Sequence, residues 1–185
     1  MNAQIPTNAP ISYSNAKLER DAWIQFAEQM QPGSFLTLKF RLEVPEGATI
    51  FSDRELQRYF TLLKPEQALR IANELLLRMH QRLFRRRKGE QLSGIGCIES
   101  QRSGMPHIHL LIANDIEAAR IKEIADRVIC SARSHGKPFF LVDEDSVDVR
   151  DVFDSGGAGR YISKLYEHRA AGEQMLLLHG SALYA

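Results

Sequence analysis

At 185 residues, with 44% hydrophobic and 25% charged side chains, the chain suits one globular domain with a single buried core. A net charge of +1 excludes a uniformly basic nucleic-acid coat, and no apolar run is long enough to span a membrane. Two cysteines, Cys97 and Cys130, build neither a disulfide scaffold nor a zinc ribbon, and the N-terminus lacks the layout of a signal peptide, so a reduced cytoplasmic protein is expected.

Residues 1 to 12 contain prolines and no regular period, and are expected to form a loose arm. From Ser14 to Met30 the pattern is helical, with Leu18, Ala22, Trp23, Phe26 and Met30 on one stripe, and Gln31-Pro32-Gly33 ends it. Ser34 to Val44 alternates as a strand does. Leu36, Leu38, Phe40 and Leu42 share one face, and Phe35, Thr37, Lys39 and Arg41 the other. Thr37, Lys39 and Arg41 could lie along a phosphate backbone; an ordinary solvated sheet face has the same pattern.

Pro45 to Ser52 has the composition of a loop, and Ser52 is expected to cap a short helix over Asp53 to Leu62. Pro65 opens a longer helix running to about Arg87, with Leu69, Ala72, Leu76, Met79 and Leu83 on its apolar stripe. Its last turn holds Arg82, Arg85, Arg86, Arg87 and Lys88. Cations suit the negative end of a helix dipole, yet five in seven residues exceeds that need. Arg85, Arg86, Arg87 and Lys88 are therefore candidate phosphate contacts.

Leu92 to Ser100 and Pro106 to Ile112 predict a hairpin around the link Gln101 to Met105. His107 and His109 leave the same face of the second strand, about 6.6 Å apart at the backbone. They can converge on one metal ion, although a solvent face holding two histidines has the same appearance. Glu99, just before the link, can reach them across the hairpin, with Gln101 as an alternative oxygen donor. Two imidazoles and a carboxylate with open positions suit Mg²⁺ or Mn²⁺ without excluding zinc.

Asp115 is expected to cap a helix from Ile116 to about Ser134, with Ala119, Ile121, Ile124, Ala125 and Val128 inward. Gly136-Lys137-Pro138 breaks it, and Phe139 to Val142 and Val147 to Val152 are the next strands. The glycine-rich run Asp154 to Gly159 lacks the spacing of a dinucleotide fingerprint and leads into a helix expected to begin near Arg160. On it, Tyr161 and Lys164 are three residues apart and share a face, with β-carbons about 5–6 Å apart. They form a candidate nucleophile and its electrostatic support, although the pair is also commonplace on amphipathic helices. Tyr166 faces elsewhere and is expected to pack, and Met175 to Leu178 form an apolar patch that docks on the core or meets a partner.

Two strand–helix–strand units predict an α+β fold, a ferredoxin-like (RRM-like) split βαβ sandwich with a central antiparallel sheet and helices packed on one face. The divisions are an N-terminal arm and helix over 1–33, the main domain over 34–170, and a C-terminal tail over 171–185. In that topology the histidine strand is central, and the closing helix crosses the sheet to bring Tyr161 to the histidine face.

FLTLKF at 35–40, PHIHLLI at 106–112 and YISK at 161–164, in this order and spacing, resemble the three motifs of the HUH endonuclease superfamily. The likeness is strongest to the single-tyrosine rolling-circle replication initiators of plasmids, phages and viruses, and covers about residues 34 to 170. It implies that Glu99, His107 and His109 hold Mg²⁺ or Mn²⁺, which polarises a scissile phosphate. Tyr161 would attack to form a 5′-phosphotyrosine and free a 3′-hydroxyl, and Lys164 would position the metal-bound or leaving group. The implied substrate is single-stranded DNA or a DNA hairpin at an origin, with Thr37, Lys39, Arg41, Arg85, Arg86, Arg87, Lys88 and Arg160 against it. Host helicase and polymerase are the implied partners, and no membrane is involved.

Two-tyrosine members of the superfamily carry another tyrosine four residues before the nucleophile, where this chain has Gly157. The length leaves no room for a helicase domain. Relaxases place the tyrosine before the histidines and use a third histidine, whereas transposases of this kind are shorter and exchange the tyrosine helix between subunits. A same-superfamily transposase or relaxase is the alternative within the chemistry. A non-catalytic RRM-like module is the alternative outside it, but such modules stack bases on sheet aromatics, which the histidine strand lacks.

Overall fold

The computed structural model describes residues 13–40, 64–85, 89–100, 106–134, 147–166, 174–180 and 182–184. In chain order the elements are Tyr13–Met30 (α1), Ser34–Lys39 (β1), Pro65–Leu83 (α2), Leu92–Ser100 (β2), Pro106–Ile112 (β3), Ala118–Ser134 (α3), Val147–Asp151 (β4) and Ser155–Ile162 (α4). A 3₁₀ turn over Ser163–Tyr166 follows α4, and Gln174–Gly180 (β5) and Ala182–Tyr184 (β6) close the fold. The strands form one six-stranded sheet in the order β4-β1-β3-β2-β5-β6, antiparallel at every pairing. Strands β4-β1-β3-β2, with α2 and α3 as their crossovers, are the expected α+β, ferredoxin-like core, and the histidine strand β3 is internal.

Strand alternation divides the apolar side chains between two faces. Leu36, Leu38, Leu92, Ile98, Ile108, Leu110 and Ile112 pack against Ala72, Leu76 and Met79 of α2 and Ile121, Ile124 and Val128 of α3. The opposite face carries Ile95, Cys97, Leu111 and Met175, and these are covered by Ala27 of α1 and Ile162 of α4. The expectation of helices on one face is therefore corrected: a second apolar cluster also has to leave water, and α1 with α4 does the covering.

The same second layer explains the buried stripe of α1. Leu18 is 68% and Phe26 47% exposed, and Ala22 is exposed too; Ala27 is the fully buried position, flanked by Trp23 and Met30. A small residue is needed there because α4 approaches closely. A β-carbon on Gly159 would stand 2.8 Å from that of Ala27 and 3.2 Å from Cα of Ile24. Helix α1 ends at Met30, and the next residue, Gln31, takes the left-handed φ of 47° common just past a helix C-terminus, followed by Pro32.

Several expected boundaries shift. Helix α2 stops at Leu83 with Phe84 as its C-cap, short of Arg87, so only Arg82 of the basic block lies within it. At its other end Pro65 does sit in the first turn, and Gln67 Oε1 accepts from the Lys64 N–H at 2.8 Å. Helix α3 starts at Ala118 instead of Ile116, and the buried first-turn alanine is Ala118, Ala119 being exposed. Helix α4 starts at Ser155 instead of near Arg160, because the Asp154 carboxylate accepts from the Gly157 N–H at 2.8 Å and caps it there. The stretch expected to be a tail supplies β5 and β6, with Leu176, Leu178 and Leu183 in the main core.

The arm, the short helix over 53–62, the hairpin link and the strand over 139–142 lie outside the described residues, as do residues 41–44 of the first strand. Among the described residues no helix is long and apolar enough to cross a membrane.

Candidate metal centre and nucleophile

Sheet register builds the site before any side chain is considered. Strand β2 pairs with β3 so that Glu99 stands opposite His107 and Cys97 opposite His109. On the other side of β3, Lys39 is opposite His107 and Thr37 opposite His109. Neighbouring strands therefore bring Lys39, Glu99 and His107 to one level of the sheet, and Thr37 and His109 to the next.

The ligand atoms of Glu99, His107 and His109 all lie within 4.8 Å of one another, so this Glu-His-His group could hold a metal ion. His107 is 8% and His109 3% exposed. His109 Nε2 donates to Glu99 Oε1 at 2.9 Å, and its Nδ1 is 3.0 Å from the Thr37 hydroxyl. That hydroxyl donates while Nε2 carries the proton. If Nε2 were given to a metal, Nδ1 would carry the proton and the same hydroxyl would accept it. Phe35 stacks on the His109 ring at 5.5 Å and 27°, fixing its plane from the side.

Charge is arranged to keep the ligands in their binding forms. Burial and the neighbouring His109 hold His107 down to about 4; Glu99 pulls the other way, and Lys39 and Lys164 reinforce the depression. Burial pushes the Glu99 carboxyl up, but hydrogen bonds and charge from His109 and Lys164 outweigh it and keep it below the ordinary value. Lys164 is pushed down by burial and raised further by Glu99 and Tyr161, so it stays an ammonium.

Helix α4 places Tyr161 over this group. Its ring meets that of His109 edge-on at 5.2 Å and that of Phe35 at 5.5 Å, and it is 44% exposed. One turn on, Lys164 Nζ lies 4.1 Å from the centre of the Tyr161 ring and 3.1 Å from Glu99 Oε2. A cleft of about 460 Å³ opens beside them, lined by Lys39, His107, His109, Phe153 and Tyr161 among others. Tyr166 instead turns into the second core and accepts from the Trp23 indole N–H at 3.1 Å.

The structure thus brings together Glu99, His107, His109, Tyr161, Lys164, Thr37 and Lys39. Thr37, read from sequence as a phosphate contact, is 6% exposed and held by His109. Arg160 reaches the Asp154 carboxylate, 3.5 Å off. Arg85 lies in the turn between α2 and β2, and lines a different cleft with Arg78 and Arg82. Gln91, which leads into β2, accepts from Asn114 Nδ2 at the Ile112 end of β3, about 16 Å along the strand from His107. Arg41, Arg86, Arg87 and Lys88 are outside the described residues. Sequence reading missed Phe153 in the cleft wall; the signal was its position just before the Asp154 cap.

No protein-family model matches the chain, and neither does any curated protein or solved structure.

Proposed function

We propose that this chain nicks and rejoins single-stranded DNA through a covalent 5′-phosphotyrosine at Tyr161, the chemistry that initiates rolling-circle replication. One observation carries the reading: an exposed phenol stands edge-on to a metal-competent histidine, with a lysine between it and the third ligand. Glu99, His107 and His109 would hold the ion, Mg²⁺ or Mn²⁺, which when bound supplies Lewis-acid polarisation of the scissile phosphate.

Tyr161 Oη attacks phosphorus and displaces the 3′-oxygen, which leaves as a hydroxyl while the phenol gives up its proton. One phosphoester replaces another, so the reverse attack rejoins the strand without an energy source. Lys164 stays cationic and offsets charge that develops beside the phenol oxygen. Thr37 and Phe35 orient His109, and Lys39 offers a cation to the flanking backbone.

The substrate would be single-stranded DNA or an extruded origin hairpin, worked on in the cytoplasm with host helicase and polymerase. The test is incubation of the protein with origin-type single-stranded oligonucleotides and Mn²⁺. A denaturant-resistant protein–DNA adduct is expected, and its absence across such substrates overturns the proposal.

A further inference from the structure

Phe153 is 96% exposed, the most exposed large apolar side chain among the described residues. Nothing about the turn requires an aromatic there, since a polar residue would join β4 to α4 without placing a ring in water. Nor is the ring carried on a slack segment. The Val152 N–H donates to the Gly33 carbonyl at 3.0 Å on one side, and Asp154 caps α4 through the Gly157 N–H on the other. Both neighbours are anchored, so the backbone that carries the ring is held in place beside the cleft.

What it is presented to is the cleft of about 460 Å³ that also contains His107, His109 and Tyr161. A volume of that size suits a small planar ligand. The inner aromatics are already engaged: Phe35 stacks on His109, and Tyr161 stands edge-on to both. Phe153 is the aromatic whose faces are open to the solvent at the rim. A rigid apolar ring beside a phosphate-directed site is the usual construction for holding an unpaired base, because every base has a π-face.

We infer that Phe153 is a stacking platform for one unpaired nucleobase next to the scissile phosphate, making it a substrate-positioning residue. The inference rests on the DNA-nicking proposal for the nature of the ligand, and on exposure and cleft geometry for its place. It gives single-strand preference a physical source: a base held in a duplex stack could not also lie on this ring.

The test is fluorescence anisotropy of a fluorescein-labelled oligo-dT strand and of an all-abasic strand of equal length and charge. Both are measured on the Tyr161→Phe protein, which cannot react with them. Adding Phe153→Ala should weaken oligo-dT binding about tenfold, within the range of a single base stack. It should leave the abasic strand unaffected, and Phe153→Trp should retain the tight binding. Equal loss on both strands, or loss on neither, overturns the inference; so does failure of the protein to bind oligo-dT. An adduct formed by the unaltered protein without any Phe153 effect removes this inference and leaves the nicking proposal. A Phe153 effect without any adduct does the opposite.

Discussion

Lys164 Nζ lies 3.1 Å from Glu99 Oε2, while the other oxygen of the same carboxylate takes the His109 N–H at 2.9 Å. One acid is therefore shared between a candidate ligand and the cation beside Tyr161. Lys164→Met should change two properties in opposite directions. Mn²⁺ affinity by calorimetry should rise about fivefold, since roughly 1 kcal/mol of charge repulsion is relieved in a hydrated site. Adduct formation under single-turnover conditions should fall on the order of 100-fold, as charge support at the reacting oxygen is lost. A parallel fall in both would show that Lys164 only braces Glu99.

The two tyrosines of the last helical segment are separable. Tyr161→Phe should abolish the adduct on a denaturing gel. Tyr166→Phe should keep it and lower stability by about 1 kcal/mol, for the lost hydrogen bond from Trp23. The reverse pattern would transfer the nucleophile's role to Tyr166.

Thr37 reports on metal binding without being a ligand. Thr37→Val removes the partner of His109 Nδ1 and should weaken Mn²⁺ binding about 10–100-fold, while Thr37→Ser should restore most of it. Chelation by EDTA should stop adduct formation and spare most DNA binding, because phosphate contacts dominate affinity. Unchanged calorimetric affinity in Thr37→Val would leave the hydroxyl a packing contact.

The metal-free protein should be acid-sensitive. His107 titrates at about 4 when folded against an ordinary value of 6.5, so as pH falls the unfolded chain takes up its proton first. Stability is then complete above about pH 6.5, declines between 6.5 and 4, and is flat below for this residue. The loss is on the order of 3 kcal/mol. Glu99, whose carboxyl is also held low, adds a further loss in the same direction at more acid pH. Urea unfolding across this range should show the slope, and His107→Gln should remove the upper part of it.

Gly159→Ala tests the seating of the helix that carries Tyr161. Alanine improves helix propensity by about 1 kcal/mol, but its β-carbon would meet Ala27 at 2.8 Å and the α1 backbone at 3.2 Å. Overpacking costs of about 1–3 kcal/mol should prevail, giving a lower melting temperature and a slower adduct reaction because α4 carries Tyr161. A stabilised, fully active variant would show that α4 has room to move.

Much of the site was legible because strand periodicity is local. Alternation alone puts His107 and His109 on one face, and the hairpin sets Glu99 level with His107. The ferredoxin-like order was legible for the same reason, from the succession of apolar periods along 34–152. The mistakes fell where distant segments meet. The expected stripe of α1 placed Leu18 and Phe26 inward, but what selects the buried side is Gly159, more than 120 residues away in sequence. The glycines of 156–159 read as a lead into a helix near Arg160, yet Asp154 caps α4 at Ser155 and draws them into it, with Gly156 and Gly159 against α1.

The residue pattern by itself determined that two imidazoles and a carboxylate share a strand face, since pleat and hairpin register act over a few residues. Only the tertiary structure decided that Thr37 serves His109, that Lys164 reaches Glu99, that Arg85 lines a separate cleft with Arg78 and Arg82, and that Phe153 stands open beside Tyr161. Those relations join elements far apart in the chain. Which side chain meets which is set there by the burial of two apolar faces, and no local period encodes it.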